Sequence, residues 1–251
     1  MAARLTSLLP LRARRRVQQM VGIADLQARV AGLEDECRRL ETQLHESREE
    51  SWERSRERWR AARPDADLTW GVELSGERFI ERAAAHGAFG AGRSVLEIGP
   101  GYGRLLRSAL DGGRQFSSWL GLDLSETNVA HLSGAFEDER VEFRTGDAES
   151  AELDEGIDTV LSSLTFKHMF PSFEGLLTNV APRLSSGGLV VFDLIEGDRH
   201  YFEADGVTYI RHYPRAEIEQ ILQRSGLGLV AFDQVRHHPD MARLLVVARR
   251  P

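Results

Sequence analysis

The sequence predicts a doubly wound α/β domain: a mainly parallel seven-stranded sheet, closed by a C-terminal antiparallel hairpin and preceded by a helical extension. Three observations predict it. The run Val95-Leu96-Glu97-Ile98 enters three glycines at alternate positions, Gly99, Gly101 and Gly103, and a helically spaced segment, Arg104–Leu110, follows. From residue 93 strand-like and helix-like segments alternate, which implies βα units and a parallel sheet with right-handed crossovers. Near the end, two strand-like runs are joined by a tight connector, which implies a hairpin.

Taken in order, residues 1–19 read as a basic and apolar tail, expected to be disordered. Leu5 to Leu11 is mildly apolar, and Arg12, Arg14, Arg15 and Arg16 follow it. This is the reverse of the order in a secretory signal. No apolar run reaches the ~18–20 residues of a membrane span, so a cytoplasmic location is expected. Residues 4–16 suit weak contact with an anionic membrane surface; a solvated tail is the alternative.

Residues 20–62 predict a coiled-coil helix. Apolar residues recur at Ile23, Leu26, Val30, Leu33, Cys37, Leu40 and Leu44, in alternating steps of three and four. Ile23, Val30, Cys37 and Leu44 take the a positions, and Leu26, Leu33 and Leu40 the d positions. Such a pattern favours a parallel two-stranded coil, so a homodimer through residues 20–62 is expected. Arg29 at g can pair with Glu34 at e of a second copy, while Glu36 and Glu41 repel. The alternative is a helix packed on its own domain. The Glu/Arg alternation through Arg60 reads as a solvated helix with i,i+4 pairs.

Residues 63–92 read as linker and lid helix. Pro64-Asp65-Ala66-Asp67 breaks the long helix, and the glycines of Trp70–Gly76 suit a hinge over a ligand, with a plain linker turn as the alternative. Ser75 is a candidate N-cap for the next helix. In residues 93–251 the strand candidates are Ser94–Ile98, Trp119–Leu122, Val141–Arg144, Thr159–Ser162, Leu189–Leu194, Leu227–Val235 and Arg243–Ala248. Helices are expected at Arg104–Leu110, Ser125–Ala135, Phe173–Leu184 and Arg215–Ser225.

Composition narrows the function classes. The 251 residues are 41% hydrophobic, enough for one sizeable α/β domain plus an extension. The net charge of −7 and the lack of an extended basic–aromatic surface argue against a nucleic-acid partner. One cysteine, Cys37, excludes an internal disulfide and a cysteine-rich metal site. Lys167 is the only lysine.

The glycine turn is where an open α/β sheet binds a ligand, at the carboxyl end of a strand. The dinucleotide fingerprint G-x-G-x-x-G does not fit, because Leu106 stands where its third glycine would be. The pattern here is E-x-G-x-G-x-G, and a buried Glu97 suits an amino group or hydroxyls rather than a pyrophosphate. It resembles the first motif of the class I S-adenosylmethionine-dependent methyltransferases. The resemblance covers about residues 70–250 and leaves residues 1–65 outside it. It implies a Rossmann-like fold, the cofactor S-adenosyl-L-methionine and a set of roles. Glu97, Gly99, Gly101 and Gly103 would cup the methionine portion. Asp123, ending the second strand, would accept from ribose hydroxyls. Asp147 would accept from the adenine amino group while the Ala148 N–H meets the ring. Ser162, ending the fourth strand, is placed with these cofactor residues.

Methyl transfer is an in-line displacement that chiefly needs alignment; a hydroxyl acceptor also needs a base with a pKa near neutrality. His168, in the loop after the fourth strand, is the expected general base. Lys167 beside it suits an anionic acceptor. The segment Glu196–Pro214 is expected to build the acceptor pocket with His200, Tyr201, Tyr209, Arg211 and His212, a mixture suited to a sugar or phenol. No residue is assigned to a metal; Asp193, Glu196 and Asp198 could hold Mg²⁺ or Mn²⁺, and a polar rim is the favoured reading. The N-P-P-Y motif of amino-directed enzymes is absent. The expected function is therefore methylation of a hydroxyl on a small molecule or glycan, sugar O-methylation being favoured. The alternatives are N-methylation of an amine or protein side chain, and a non-enzymatic coiled-coil scaffold that binds the cofactor.

Overall fold

The computed structural model describes residues 11–64, 76–238 and 241–251. The chain divides into two compact units, one ending at Ser51 and one running from Trp52 to Pro251. Helix α1, Leu11–Arg60, passes from the first into the second. It starts before residue 20, so residues 11–19 are helical where a tail was expected. Residues 4–10 of the candidate membrane-contact segment, and nearly all of Trp70–Gly76, lie outside the described residues.

In the first unit the apolar stripe lies on the helix surface. Leu26, Val30, Leu33, Leu40 and Leu44 are each more than half exposed, and Cys37 is exposed with them. Charges between them pair along the helix: Arg38 with Asp35, Arg39 with Glu36 at 2.5 Å, His45 with Glu49 at 3.0 Å.

The second unit is built on one sheet. Its elements are α2 (Gly76–Ala85), β1 (Ser94–Ile98), α3 (Arg104–Asp111), β2 (Ser118–Asp123), α4 (Glu126–Ala135), β3 (Val141–Thr145), β4 (Ile157–Ser162), α5 (Glu174–Val180), β5 (Leu184–Glu196), β6 (His200–Phe202), β7 (Tyr209–Tyr213), α6 (Arg215–Arg224), β8 (Gly228–His238) and β9 (Met241–Arg249). The order is β3-β2-β1-β4-β5, with β9 antiparallel on β5 and β8 on β9. β1 pairs in parallel with both β2 and β4, so strand order reverses there and opens the crevice at the carboxyl ends of β1 and β4.

Among the described residues the sheet has nine strands rather than the expected seven. The additional pair is the hairpin β6–β7, from the segment read as an acceptor-pocket insertion. β7 joins β5 only at Ile195–His212 and Glu196–Tyr213, beyond the end of β4.

Alternate side chains of the central strands enter two cores, which is why these strands read as unbroken apolar runs. Leu96, Val160, Val190 and Phe192 pack with α5 and α6 through Leu176, Leu177, Ile218 and Ile221. Val95, Leu161, Leu189 and Val191 pack on the other face with α2 and α3 through Phe79, Ile80, Leu105 and Leu106.

Candidate functional site

A cavity of about 200 Å³ lies at the switch point. Of the expected cofactor residues, Glu97, Gly99, Gly101, Asp123, Asp147 and Ala148 line it. Gly103 and Ser162 do not. Gly103 sits at φ 81°, and a side chain there would run into Phe136 and Leu132, so its task is the close approach of α3 to α4. Ser162 is buried and donates to the Ile98 carbonyl at 2.9 Å; its neighbour Ser163 lines the cavity. Gly99, at φ 69°, passes against Thr165, leaving no room for a Cβ.

Of the acids of the site, Glu97 and Asp123 are buried and Asp147 is half-buried, and all three are held. Glu97 is 2% exposed and accepts from the Trp119 indole at 3.1 Å. Burial pushes its carboxyl up to about 7, against the pull of Trp119 and Arg104. Asp123 accepts from the backbone N–H groups of Gly101 at 3.0 Å and Ser125 at 2.9 Å; burial outweighs these bonds and raises its pKa. The N-cap of α4 is Ser125, which accepts from the Asn128 N–H. Asp147 accepts from the Glu149 N–H at 3.0 Å and from Arg56 Nε at 2.6 Å.

His168 ends a short 3-10 turn, Phe166–His168, and lines the cavity. Its Nδ1 lies 2.7 Å from the Tyr209 carbonyl. A carbonyl only accepts, so Nδ1 carries the proton and Nε2 keeps its lone pair. Burial first, then the Lys167 charge, holds its pKa well below the usual histidine range, so the ring is neutral at neutral pH and free to accept a proton, but it is a weaker base than the near-neutral one the sequence reading called for. Its ring lies 4.4 Å from that of Trp59.

Of the expected acceptor residues, only Lys167 lines the cavity. His200 and Tyr201 are exposed on β6. Tyr209 is buried and touches His168 through its backbone. Arg211 pairs with Glu217 at 2.5 Å, and His212 is buried on β7 with its pKa lowered by burial. The wall beside His168 is instead Trp59, Met169 and Phe170. The acidic group read as a possible metal rim is engaged elsewhere: Asp193 pairs with Arg243 at 3.2 Å and Glu196 with Arg215 at 2.7 Å. Among the described residues no three His, Cys, Asp or Glu gather as a metal site.

The end of α1 contributes what the sequence reading missed. Ser55, Arg56 and Trp59 of α1, with Ala62 just past its end, line the cavity. The expectation of a solvated helix through Arg60 is corrected here, because Ser55 and Arg56 are buried. Arg56 reaches two carboxylates far along the chain, Asp147 and Glu149. The signal was the spacing Trp52, Arg56, Trp59, which puts two indoles and a guanidinium on one helix face. Among the described residues, nothing accepts the buried Trp59 indole N–H or donates to Asn128 Oδ1. Glu97, Asp123 and Asp147 set three carboxylates around the cavity, a lining that fits a ligand carrying amino and hydroxyl groups.

Comparison with known proteins agrees with this geometry. Residues 96–192 match the family model described as a methyltransferase domain. An S-adenosylmethionine-dependent methyltransferase from Mesorhizobium loti superposes with a TM-score of 0.59 at 22% identity, over 72% of this chain and 100% of that one. The 1,6-didemethyltoxoflavin-N1-methyltransferase of Burkholderia thailandensis, solved with S-adenosylhomocysteine, gives 0.61 at 22% identity, over 74% and 82%. The 4+2 cyclase SpnF gives 0.57 at 19% identity, over 70% and 80%, so the fold alone does not fix a reaction. No curated protein sequence matches the chain. The matched segment fits a methyltransferase domain, and the fold around it is the one seen in solved S-adenosylmethionine-dependent methyltransferases. No described helix is long and apolar enough to cross a membrane.

Proposed function

We propose that the protein methylates a hydroxyl group of a small molecule or glycan, a sugar being the favoured acceptor, with His168 as general base. The bound cofactor supplies an activated methyl group on a sulfonium. The chain's part is to hold both partners and to take one proton. The observation that carries the reading is the fixed tautomer of His168: its Nδ1 is tied to the Tyr209 carbonyl at 2.7 Å, so Nε2 is the acceptor in a cavity shared with Glu97, Asp123 and Asp147. The Trp59 and Phe170 side chains line the same cavity and offer apolar surface on which a sugar can lie. A second reading, methylation of nitrogen, draws on the Burkholderia neighbour, which is named as an N1-methyltransferase. We further propose that residues 20–51 pair with a second copy of the chain.

The test is a product-mass screen of the purified protein with cofactor against panels of sugars, phenols and amines. For a hydroxyl acceptor, His168→Ala should lower kcat about 100-fold or more while S-adenosylhomocysteine affinity stays the same. A neutral amine attacks with its own lone pair, so turnover indifferent to this substitution would favour the nitrogen reading.

A further inference from the structure

We propose that Arg56, on the N-terminal extension, is a positioning residue of the cofactor site: it fixes the Asp147 carboxylate in the orientation that accepts from the adenine amino group. This rests on the reading of the cavity as an S-adenosylmethionine site. Arg56 lies outside the matched methyltransferase segment, 96–192.

The guanidinium is held on three sides. Its Nε donates to Asp147 Oδ2 at 2.6 Å, and its Nη2 donates to Glu149. Its carbon lies 3.5 Å over the Trp52 ring, whose Nε1 donates to the same Glu149 at 3.4 Å. Arg56 is 4% exposed, so this pairing is little screened by water, unlike an ion pair on an open surface. Asp147 Oδ1 is fixed separately by the Glu149 N–H. Both oxygens are therefore oriented, each by one donor. An ionised carboxylate offers about four lone-pair sites, which leaves acceptor capacity for an exocyclic amine over Ala148. Without Arg56, one oxygen would be free to turn toward water, and Glu149 would lose the cation that offsets its burial. Ser55 and Trp59 of the same helix line the cavity beside Arg56, so this face borders the space a ligand would fill and not only the sheet.

The test compares two probes by calorimetry on the full chain: S-adenosylhomocysteine, and S-inosylhomocysteine, which carries an oxygen in place of the adenine amine. The unmodified protein should prefer the first by about tenfold or more, as expected for a hydrogen bond to a charged acceptor. Arg56→Ala should weaken S-adenosylhomocysteine about tenfold and reduce the preference to within about threefold. Arg56→Lys, which keeps the charge but not the two-pronged geometry, should fall between them and serves where the alanine variant does not fold. Adding Arg56→Ala to Asp147→Ala should cost nothing further in binding. Equal weakening of both probes, with the preference kept, would show a merely structural anchor and overturn the proposal. Failure of the unmodified protein to bind either probe would overturn the cofactor-site reading itself.

Discussion

Leu164 carries a left-handed backbone at φ 66°, a conformation a leucine keeps only where its surroundings impose it. Asp193 imposes it. One oxygen accepts from the Leu164 N–H at 2.6 Å; the other faces Ser163 Oγ at 3.4 Å and Arg243 Nη1 at 3.2 Å. Arg104 secures the same Ser163 hydroxyl at 2.8 Å. The loop that carries Thr165, Lys167 and His168 is thus pinned at its start by a carboxylate on β5. Nothing in the spacing of Asp193, Glu196 and Asp198 distinguishes a pin from a metal rim; the distinction lies in Arg243, fifty residues on. Asp193 is fully buried and Arg243 nearly so. Removing one partner of such a pair leaves a buried charge uncompensated, a loss of about 3–5 kcal/mol. Asp193→Ala should therefore lower the unfolding free energy by that amount, read as a lower denaturant midpoint at unchanged slope, and a loss under about 1 kcal/mol would mean that water reaches the pair.

Helix α1 behaves as two elements. Through Ser51 its apolar stripe is exposed; from Trp52 its buried face is polar and aromatic. The first half was legible because a heptad pattern needs only local spacing. The second was not, because Arg56 is buried by two carboxylates more than ninety residues away, and a charged residue on a helix normally reads as solvated. The hairpin β6–β7 was hidden for a different reason: its strands are short and carry mixed polar and aromatic residues without a clean alternation. The stripe leads to a prediction for this element. Leucines at d with Val30 and Ile23 at a suit a parallel, in-register pair, which sets Cys37 opposite Cys37 of the second copy, within the Cα separation of about 4.4–6.8 Å that a disulfide spans. Light scattering should give a dimer, mild oxidation should cross-link it through Cys37, and Leu33→Asp should return a monomer. A monomer before any substitution would remove the proposal; a dimer that never cross-links would point to antiparallel pairing.

Across the whole molecule, most of the residues that line the cavity from the sheet were legible because the parallel topology does the gathering. Glu97, Gly99, Asp123 and Asp147 sit at or just beyond the carboxyl ends of β1, β2 and β3, and one crevice collects those ends. The opposite wall of the cavity was not legible, because it is formed by the end of α1, whose packing on the sheet no local pattern encodes. The gathering also sets a pH dependence for the folded protein. Glu97 has a folded pKa of about 7 against an ordinary 4.5. Its raised value means that the empty protein holds this proton more tightly than the unfolded chain does. The stability it contributes is fully present below about pH 4.5 and is lost as pH rises toward 7, about 3 kcal/mol in all. A ligand ammonium beside Glu97 favours the ionised carboxylate, so binding below pH 7 must first release that proton. S-adenosylhomocysteine affinity should therefore rise about tenfold from pH 6 to 8, and the melting-temperature increase at a fixed ligand concentration should grow with it. Glu97→Gln should bind more weakly above pH 7 and flatten the profile. A flat profile in the unmodified protein would mean that Glu97 does not meet the amino group, and the ammonium would have to be placed elsewhere in the cavity.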